Sequence, residues 1–312
     1  MHRKTASDAV RTGGRDPMKS GFVALAGRPN AGKSTLLNGL LSEKIAIVSS
    51  KPQTTRSQIR GILTTSEGQI VFTDTPGIHK ANTRLESRMN KEAADVIQGV
   101  DVIYLVVDGT RAFGTGDEYV LRMVKNVGVP VFLILNKIDQ MKKEKVLKVL
   151  QSWQSRYEFA EFFPLSALKQ NDFTDLITTT MNYLPEGDYM YPEEITSDGP
   201  VRFRIAEIIR EKILICTDEE VPHASAVVVE TMETEGDVCY IQALVLVEKQ
   251  GQKGILIGKQ GSMLMKITSM AEKEIAQLLG MKTELELFVR VEEEWRDRDA
   301  RITEYGYGNI DE

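Results

Sequence analysis

Eight consecutive residues, Gly27-Arg28-Pro29-Asn30-Ala31-Gly32-Lys33-Ser34, fit the pattern G-x-x-x-x-G-K-[ST], and Thr35 follows them. Residues of these types at this spacing hold phosphate. Glycines let backbone N–H groups turn inward around phosphate oxygens, the lysine places a fixed charge on the β- and γ-phosphates, and the serine offers a hydroxyl to Mg²⁺. An apolar run, Phe22–Ala26, precedes the loop and a helical pattern, Ser34–Leu41, follows it, so the positive end of a helix faces the same anion. Composition alone produces such a match in about one chain in a hundred of this size. The strand-before, helix-after setting makes a merely structural glycine turn rarer still. The loop reads as a nucleoside triphosphate site.

Three further segments stand at the ends of strand-like runs. Asn136-Lys137-Ile138-Asp139 closes Val129–Leu135. A carboxylate there accepts hydrogen bonds from both the ring N–H and the amino group of guanine, which adenine does not offer in that arrangement. Ser166-Ala167-Leu168 closes Phe159–Leu165, where a backbone N–H would meet the guanine carbonyl oxygen. Asp74-Thr75-Pro76-Gly77 closes Ile70–Phe72, as a Mg²⁺-linked carboxylate followed by a glycine that senses the γ-phosphate should. Each short motif taken singly is also a plain strand-end turn. Four in order, all at the carboxyl ends of strands, fall where doubly wound sheets bind ligands.

This constellation resembles the translation-factor-related class of P-loop GTPases. The resemblance implies GTP and GDP as ligands and Mg²⁺ as cofactor. Asn136 and Asp139 would read guanine, Lys137 would lie over the base, and Ala167 would contribute a backbone N–H. Pro52-Gln53-Thr54-Thr55-Arg56 matches the switch segment, whose threonine completes the Mg²⁺ shell beside Ser34 and Asp74. Thr55 is favoured over Thr54 for that place, the alternative for both being plain loop polarity. Lys33, Thr55 and Gly77 would then act at the reacting phosphate.

One departure bears on mechanism. Signalling GTPases place a glutamine directly after the D-x-x-G glycine, where it orients the attacking water. Ile78 stands there in this chain, so slow intrinsic hydrolysis is expected, resting on phosphate positioning and Mg²⁺. In relatives with the same apolar substitution, an asparagine at the Asn30 position helps hold a monovalent cation, which implies stimulation by K⁺. His79, beyond the reacting part of the motif, reads as a solvated switch residue rather than a general base.

The elements that must position these residues follow from hydropathy. Phe22–Ala26, Ile70–Phe72, Val102–Val107, Val129–Leu135 and Phe159–Leu165 are continuous apolar runs. Helical patterns over Ser34–Leu41, Thr83–Ile97, Asp117–Lys125, Lys142–Ser155 and Asp172–Tyr183 alternate with them. The expected first domain, residues 18–183, is therefore α/β, a doubly wound, mostly parallel sheet covered on both faces. The loops Lys51–Arg60 and Asp74–Ala81 are expected on its surface, where their ordering by GTP could bias the docking of a second domain. Residues 1–17 read as a flexible extension, and 184–200, with three prolines and two glycines, as a linker.

Beyond the linker, residues 201–312 read as helix (Val201–Ile215), two β-rich runs (Ser225–Thr234 and Asp237–Val247, with Met232–Asp237 supplying the turn), helix (Ser262–Leu279) and strand (Glu284–Val291). That order makes a smaller α+β domain. The segment Ile257-Gly258-Lys259-Gln260-Gly261 joins a short apolar stretch to the second helix. G-x-x-G spacing by itself says nothing, since 24 glycines in 312 residues give about two such matches by composition; a second one is Gly251–Gly254. Context favours Gly258–Gly261, where a glycine pair at a helix start lets backbone N–H groups approach phosphate.

The domain order resembles a type II KH fold, with Lys249, Lys253, Lys259 and Lys266 around the loop and Glu248 as the single acid; the plain alternative is a solvated lysine face. A GTPase domain followed by one type II KH domain resembles the bacterial Era family from Met18 onward, and Glu294-Trp295-Arg296-Asp297 and Gly306-Tyr307 add to the match. The resemblance implies binding at the 3′ region of 16S ribosomal RNA and a role in maturing the 30S subunit. Lys253, Ile257, Gly258, Lys259, Gln260, Gly261 and Lys266 would form the RNA contact. Two rivals stay open: an RNA-binding adaptor with a structural nucleotide, and a membrane-surface signalling GTPase. The second would need an amphipathic basic helix, and no convincing one is found. A cytoplasmic monomer is expected, with peripheral association at the inner face of the membrane kept as an alternative.

Composition limits these readings. The 312 residues carry 39 Lys+Arg against 45 Asp+Glu, a net charge of −6, which excludes non-specific coating of nucleic acid. From Gly199 onward the balance is 14 against 22, so the RNA contact is expected to be one narrow basic patch on an acidic domain. Cys216 and Cys239 make no disulfide framework, and a reducing compartment is expected.

Overall fold

The computed structural model describes residues 18–307; the extension at 1–17 and the last five residues lie outside the described residues. In the first domain the chain runs β1 (Lys19–Ala26), α1 (Lys33–Leu41), β2 (Ile59–Thr65), β3 (Gly68–Asp74), α2 (Arg84–Gln98) and β4 (Val102–Asp108), then α3 (Thr115–Lys125), β5 (Val131–Asn136), α4 (Lys143–Gln154), β6 (Glu161–Pro164) and α5 (Thr174–Tyr183). The sheet order is β2-β3-β1-β4-β5-β6, antiparallel only at β2–β3.

Strand alternation builds two cores. Val23, Leu25, Tyr104 and Val106 pack with Leu36, Leu37 and Leu40 of α1 and Leu176 and Met181 of α5. Their neighbours Ala24, Ala26, Leu105 and Val107 face Ala93, Val120, Val124 and Trp153 of α2, α3 and α4. All five loops that carry motifs leave this sheet at the carboxyl ends of β1, β3, β5 and β6 or just before β2.

Two features differ from the sequence expectations. Strand β2 was not foreseen, because Gly61 and the polar Arg60, Thr64 and Thr65 break its apolar pattern at the sheet edge. The segment 184–200 is pinned rather than free. Buried Gln69 accepts at Oε1 from the Met190 and Tyr191 N–H groups at 2.8 and 2.9 Å, and Ile62 N–H donates to the Thr196 carbonyl at 2.8 Å. The segment thereby covers the edge of β2, which would otherwise offer unpaired backbone to another chain.

The second domain runs α6 (Val201–Cys216), α7 (Val221–Ala224), β7 (Ala226–Glu235), β8 (Val238–Val247), α8 (Gln250–Ile257), α9 (Ser262–Leu279), β9 (Lys282–Val291) and α10 (Asp299–Glu304). β7 and β8 are antiparallel and β8 and β9 parallel, with α6 and α9 packed on the apolar face through Ile205, Ile209, Ile213, Ile267, Ala271 and Ile275. The hairpin turn is tighter than expected, since Met232–Glu235 extends β7 and only Gly236 and Asp237 turn. The apolar stretch before Gly258 is the last turn of α8, and Gly251 and Gly254 lie inside that helix, which disposes of the second G-x-x-G as a loop.

Candidate nucleotide site and nucleic-acid interface

Gly27–Ser34 wraps the start of α1. Gly32 adopts φ +99°, and a Cβ there would collide with Asn136 Nδ2, so only glycine lets the loop close on the β5 end. Lys33 is 6% exposed, and its Nζ donates to the Gly27 and Arg28 carbonyls at 3.3 Å each. Burial pushes its ammonium down from the ordinary range, opposed by the charge of Asp74. The Arg28 side chain turns away to Asp117 at 2.9 Å, leaving its backbone to the loop. Asn30 Nδ2 donates to the Ser50 carbonyl at 2.6 Å. Pro29, Gly32, Lys33, Ser34, Thr35, Thr55 and Gly77 line one small cavity of about 50 Å³, and Ala31 packs beneath the loop in the sheet core.

Ser34, Thr55 and Asp74 converge. Ser34 Oγ donates to Asp74 Oδ2 at 2.6 Å and lies 2.9 Å from Thr55 Oγ1, which in turn donates to Asp74 Oδ2 at 3.1 Å. Asp74 is fully buried, its Oδ1 has no protein partner, and burial raises its carboxyl above the usual range against the pull of Lys33. Two hydroxyls and a buried carboxylate with an unused oxygen fit a hard, oxygen-seeking cation such as Mg²⁺. Thr54 does not join them; its Oγ1 donates to the Lys51 carbonyl at 2.8 Å. Thr55→Ala should therefore weaken Mg²⁺-dependent nucleotide turnover about ten- to a hundredfold, the size of one lost contact to a charged group, while Thr54→Ala should not. A Mg²⁺ titration of both variants reads the difference, and equal losses would refute the assignment.

Asn136 is a hub between the motif loops. Its Nδ2 donates to the Ala31 carbonyl at 2.8 Å, and its Oδ1 accepts from the N–H groups of Lys137 at 2.8 Å and Ala167 at 2.9 Å. One side chain thus ties the phosphate loop to the Ser166-Ala167-Leu168 turn. The Ala167 N–H, expected to face the guanine carbonyl, is engaged by Asn136 in this structure. Lys137 Nζ donates to the Asn30 carbonyl at 2.7 Å and to Asp108 Oδ2 at 2.8 Å, so its charge is anchored beside the loop. Burial would raise the Asp108 carboxyl, but Lys137 and Thr110 hold it below the usual range. Asp139 is exposed on the turn Ile138–Gln140, open to a ligand.

Gly77 carries Ile78, whose N–H donates to the Gly27 carbonyl at 3.2 Å while its side chain is fully buried among α2 and α3 residues. Thr75 Oγ1 donates to the Leu25 carbonyl at 2.8 Å, and Thr75 and Pro76 are buried. His79 is half-buried and hydrogen-bonded, only partly the solvated residue expected. Its Nδ1–H donates to the Gly77 carbonyl at 2.8 Å, and its ring lies between Gln53 and Glu86.

The segment Lys51–Arg60 is a surface loop only in part: Pro52 is exposed, whereas Thr54, Thr55, Arg56 and Ser57 are buried, with Thr54 and Arg56 held by the second domain. Arg56 donates to the carbonyls of Ser225 at 2.6 Å, His223 at 2.8 Å and Pro222 at 3.2 Å. Its guanidinium lies 5.9 Å from the Trp295 ring centroid and 5.6 Å from that of Tyr307. From the other side Arg210, held by Glu207 at 2.6 Å, donates to the Thr54 carbonyl. Lys44 bridges Glu211 and Glu274 at 2.6 Å each, and Leu85 and Met89 of α2 pack with Trp295, Ile302, Tyr305 and Tyr307. Sequence reasoning missed Arg56, Arg210 and Lys44. The one available signal was Arg56 itself, an arginine inside an otherwise small and polar switch segment.

In the second domain, Gly258, at φ +71° and ψ 178°, and Gly261, at φ +80°, bracket the turn between α8 and α9. A Cβ on Gly258 would meet Met263 N at 2.8 Å, so the turn requires glycine there. Lys259, Gln260 and Lys266 are exposed, Lys253 and Ile257 half-buried, and Ile255 and Met265 add exposed apolar surface at 49% and 63%. Glu248, the one nearby acid, is drawn off by Arg296 at 2.5 Å, which leaves the lysines as the local charge.

Comparison with known proteins agrees with this geometry. Residues 22–137 match the family described as 50S ribosome-binding GTPase, and residues 220–296 match the KH domain family. The chain is 47% identical over 293 residues to the GTPase Era of Lacticaseibacillus paracasei, covering 94% of this chain and 98% of that protein. An Era variant of Aquifex aeolicus bound to GDP·AlF4⁻ superposes with a TM-score of 0.90 at 36% identity, covering 93% of this chain and all of that one. Era in complex with MgGDPNP and nucleotides 1506–1542 of 16S ribosomal RNA gives a TM-score of 0.91 at 36% identity, with coverages of 93% and 99%.

Proposed function

Because the chain belongs to the Era family of GTPases, we propose that it is a GTP-hydrolysing switch that binds the 3′ region of 16S ribosomal RNA through its KH domain and acts in maturation of the 30S subunit. The observation that carries the coupling is one of adjacency. Thr55 belongs to the Ser34–Asp74 cluster, and the next residue, Arg56, is sealed inside the second domain. Movement of one residue on loss of the γ-phosphate must therefore strain or release the domain interface. The relative solved with MgGDPNP and 16S RNA supports the pairing of ligands.

When bound, Mg²⁺ held by Ser34, Thr55 and Asp74 would neutralise charge on the β- and γ-oxygens. Lys33, fixed on the loop carbonyls, is placed to follow the charge that develops there, and the Gly77 peptide is held by its neighbours at Gly27 and His79. The buried Ile78 offers no polar atom to water, which supports a slow intrinsic rate. Asn30, whose amide nitrogen is engaged with Ser50, leaves its amide oxygen for a monovalent cation. On that basis turnover should be faster in KCl than in NaCl, and equal rates would remove the K⁺ site.

Lys259→Ala combined with Gly261→Asp should weaken binding of a 16S 3′-end RNA about tenfold or more, since it removes a phosphate contact and the conformation that lets backbone approach the strand. GTP turnover without RNA is the folding control. Undiminished RNA affinity would show the contact to be elsewhere. We place the protein in the cytoplasm as a monomer. Among the described residues no helix is long and apolar enough to cross a membrane, and vesicle co-sedimentation tests peripheral association.

A further inference from the structure

A cavity of about 930 Å³ opens between the segment that follows Gly77 and the start of α3. Arg28, Lys80, Arg111 and Arg122 line it, with His79 and the ring of Tyr119, and no Asp or Glu is among its described lining residues. In a chain of net charge −6, two of the four cations on this concave wall are paired with acids behind it, and Lys80 and Arg122 leave a local positive excess. Arg28 is paired with Asp117 at 2.9 Å, and Arg111 Nε lies 3.6 Å from Asp108 Oδ2. Lys80 and Arg122 are exposed and make no ion pair or side-chain hydrogen bond among the described residues. The first residues of α3, Thr115 and Gly116, line the same wall, but Asp117 and Glu118 occupy that helix's first turn and offset its positive end.

We propose that this cavity is a second nucleic-acid contact, which takes the phosphodiester backbone of the bound RNA and sets it against the segment after Gly77. The proposal rests on the RNA-binding reading above and deepens it. Arginines match phosphate oxygens in geometry and charge. Tyr119, 40% exposed beside them, gives a base a surface to stack on, which an acidic peptide would leave unused. The wall also connects to Gly77, the glycine assigned to the γ-phosphate. Asn90 Nδ2 donates to the His79 carbonyl at 2.6 Å, and His79 Nδ1–H donates to the Gly77 carbonyl at 2.8 Å, so a strand seated here fixes the Gly77 peptide through two hydrogen bonds. RNA docking would thus supply order that Ile78 does not.

The test uses the full chain with a 16S 3′-end RNA that extends on both sides of the KH footprint. For Arg122→Glu the slope of log affinity against log salt should fall by about 0.7, one single-strand phosphate contact, and RNA-stimulated GTP hydrolysis should drop about tenfold with the RNA-free rate unchanged. Arg122→Lys, which keeps the charge, should restore the slope. A slope and stimulated rate equal to wild type in Arg122→Glu would overturn the proposal, as would full stimulation by polyglutamate or a free nucleoside polyphosphate in place of RNA. Loss of RNA affinity in Lys259→Ala/Gly261→Asp alongside an unaffected Arg122→Glu would sink this contact only. A wild-type protein that neither binds the RNA nor responds to it would sink the RNA-binding reading itself.

Discussion

Asp139→Asn is expected to exchange guanosine for xanthosine nucleotides. The Asp139 carboxylate is exposed on a turn that Lys137 opens by adopting φ +64°, and it faces solvent rather than a protein partner. As an acceptor of two hydrogen bonds it suits the ring N–H and amino group of guanine. An asparagine there turns a donor toward the guanine amino group and leaves a polar pair unmatched, whereas xanthine carries a carbonyl at that place and accepts. Sites built on hydrogen bonds reject a mismatched partner strongly, so guanosine affinity should fall about 10³-fold or more while xanthosine affinity rises. The substitution should leave the fold intact, because the bonds that shape this corner belong to Asn136 and Lys137. Competition of GDP and XDP for the variant measures it. A retained guanosine preference would remove Asp139 from base recognition.

Arg56→Met should do more to the whole molecule than any change in the phosphate loop. Methionine fills a similar volume but supplies none of the donors to the Pro222, His223 and Ser225 carbonyls and no charge for the Trp295 and Tyr307 rings. Burial lowers the Arg56 pKa to about 10, opposed by Tyr307, so the group is still a cation at neutral pH. Its contacts are charge-assisted and desolvated, and their loss should cost about 4 kcal/mol. The cost falls on the interface, so denaturant unfolding should be a single transition in the wild type and separate into two in the variant. On the proposed coupling, RNA affinity should differ between GDP and a GTP analogue in the wild type and not in the variant. A single transition with unchanged midpoint would mean that the switch segment is not what holds the two domains together.

The phosphate loop, Asp74–Gly77 and Asn136–Asp139 were legible because each is a contiguous run whose chemistry depends on neighbours in the chain, and apolar strands before them fix where they end. What escaped depends on partners far along the chain. Nothing local marks Asn136 as the link between Ala31 and Ala167, or Arg56 as an anchor for residues about 170 positions away. The same holds for the segment 184–200. Its prolines and glycines read as a linker, and nothing local shows that a buried glutamine, Gln69, pins it in place. Strand β2 and helix α8 were hidden for a different reason, since glycines at 61, 251 and 254 weaken their periodic patterns and tertiary packing overrides the preference. Burial of Thr54–Ser57 could not be foreseen either, because a polar segment is buried only when another domain satisfies its backbone.

Single-turnover hydrolysis of GTP, with and without a 16S 3′-end RNA, tests most directly whether this chain is an RNA-coupled GTPase. In Mg²⁺ and K⁺ the RNA should raise the wild-type rate about tenfold or more, and should leave the Lys259→Ala/Gly261→Asp rate where it was. A rate that is the same with and without bound RNA would contradict the coupling and leave the nucleotide as a structural ligand of an RNA-binding protein.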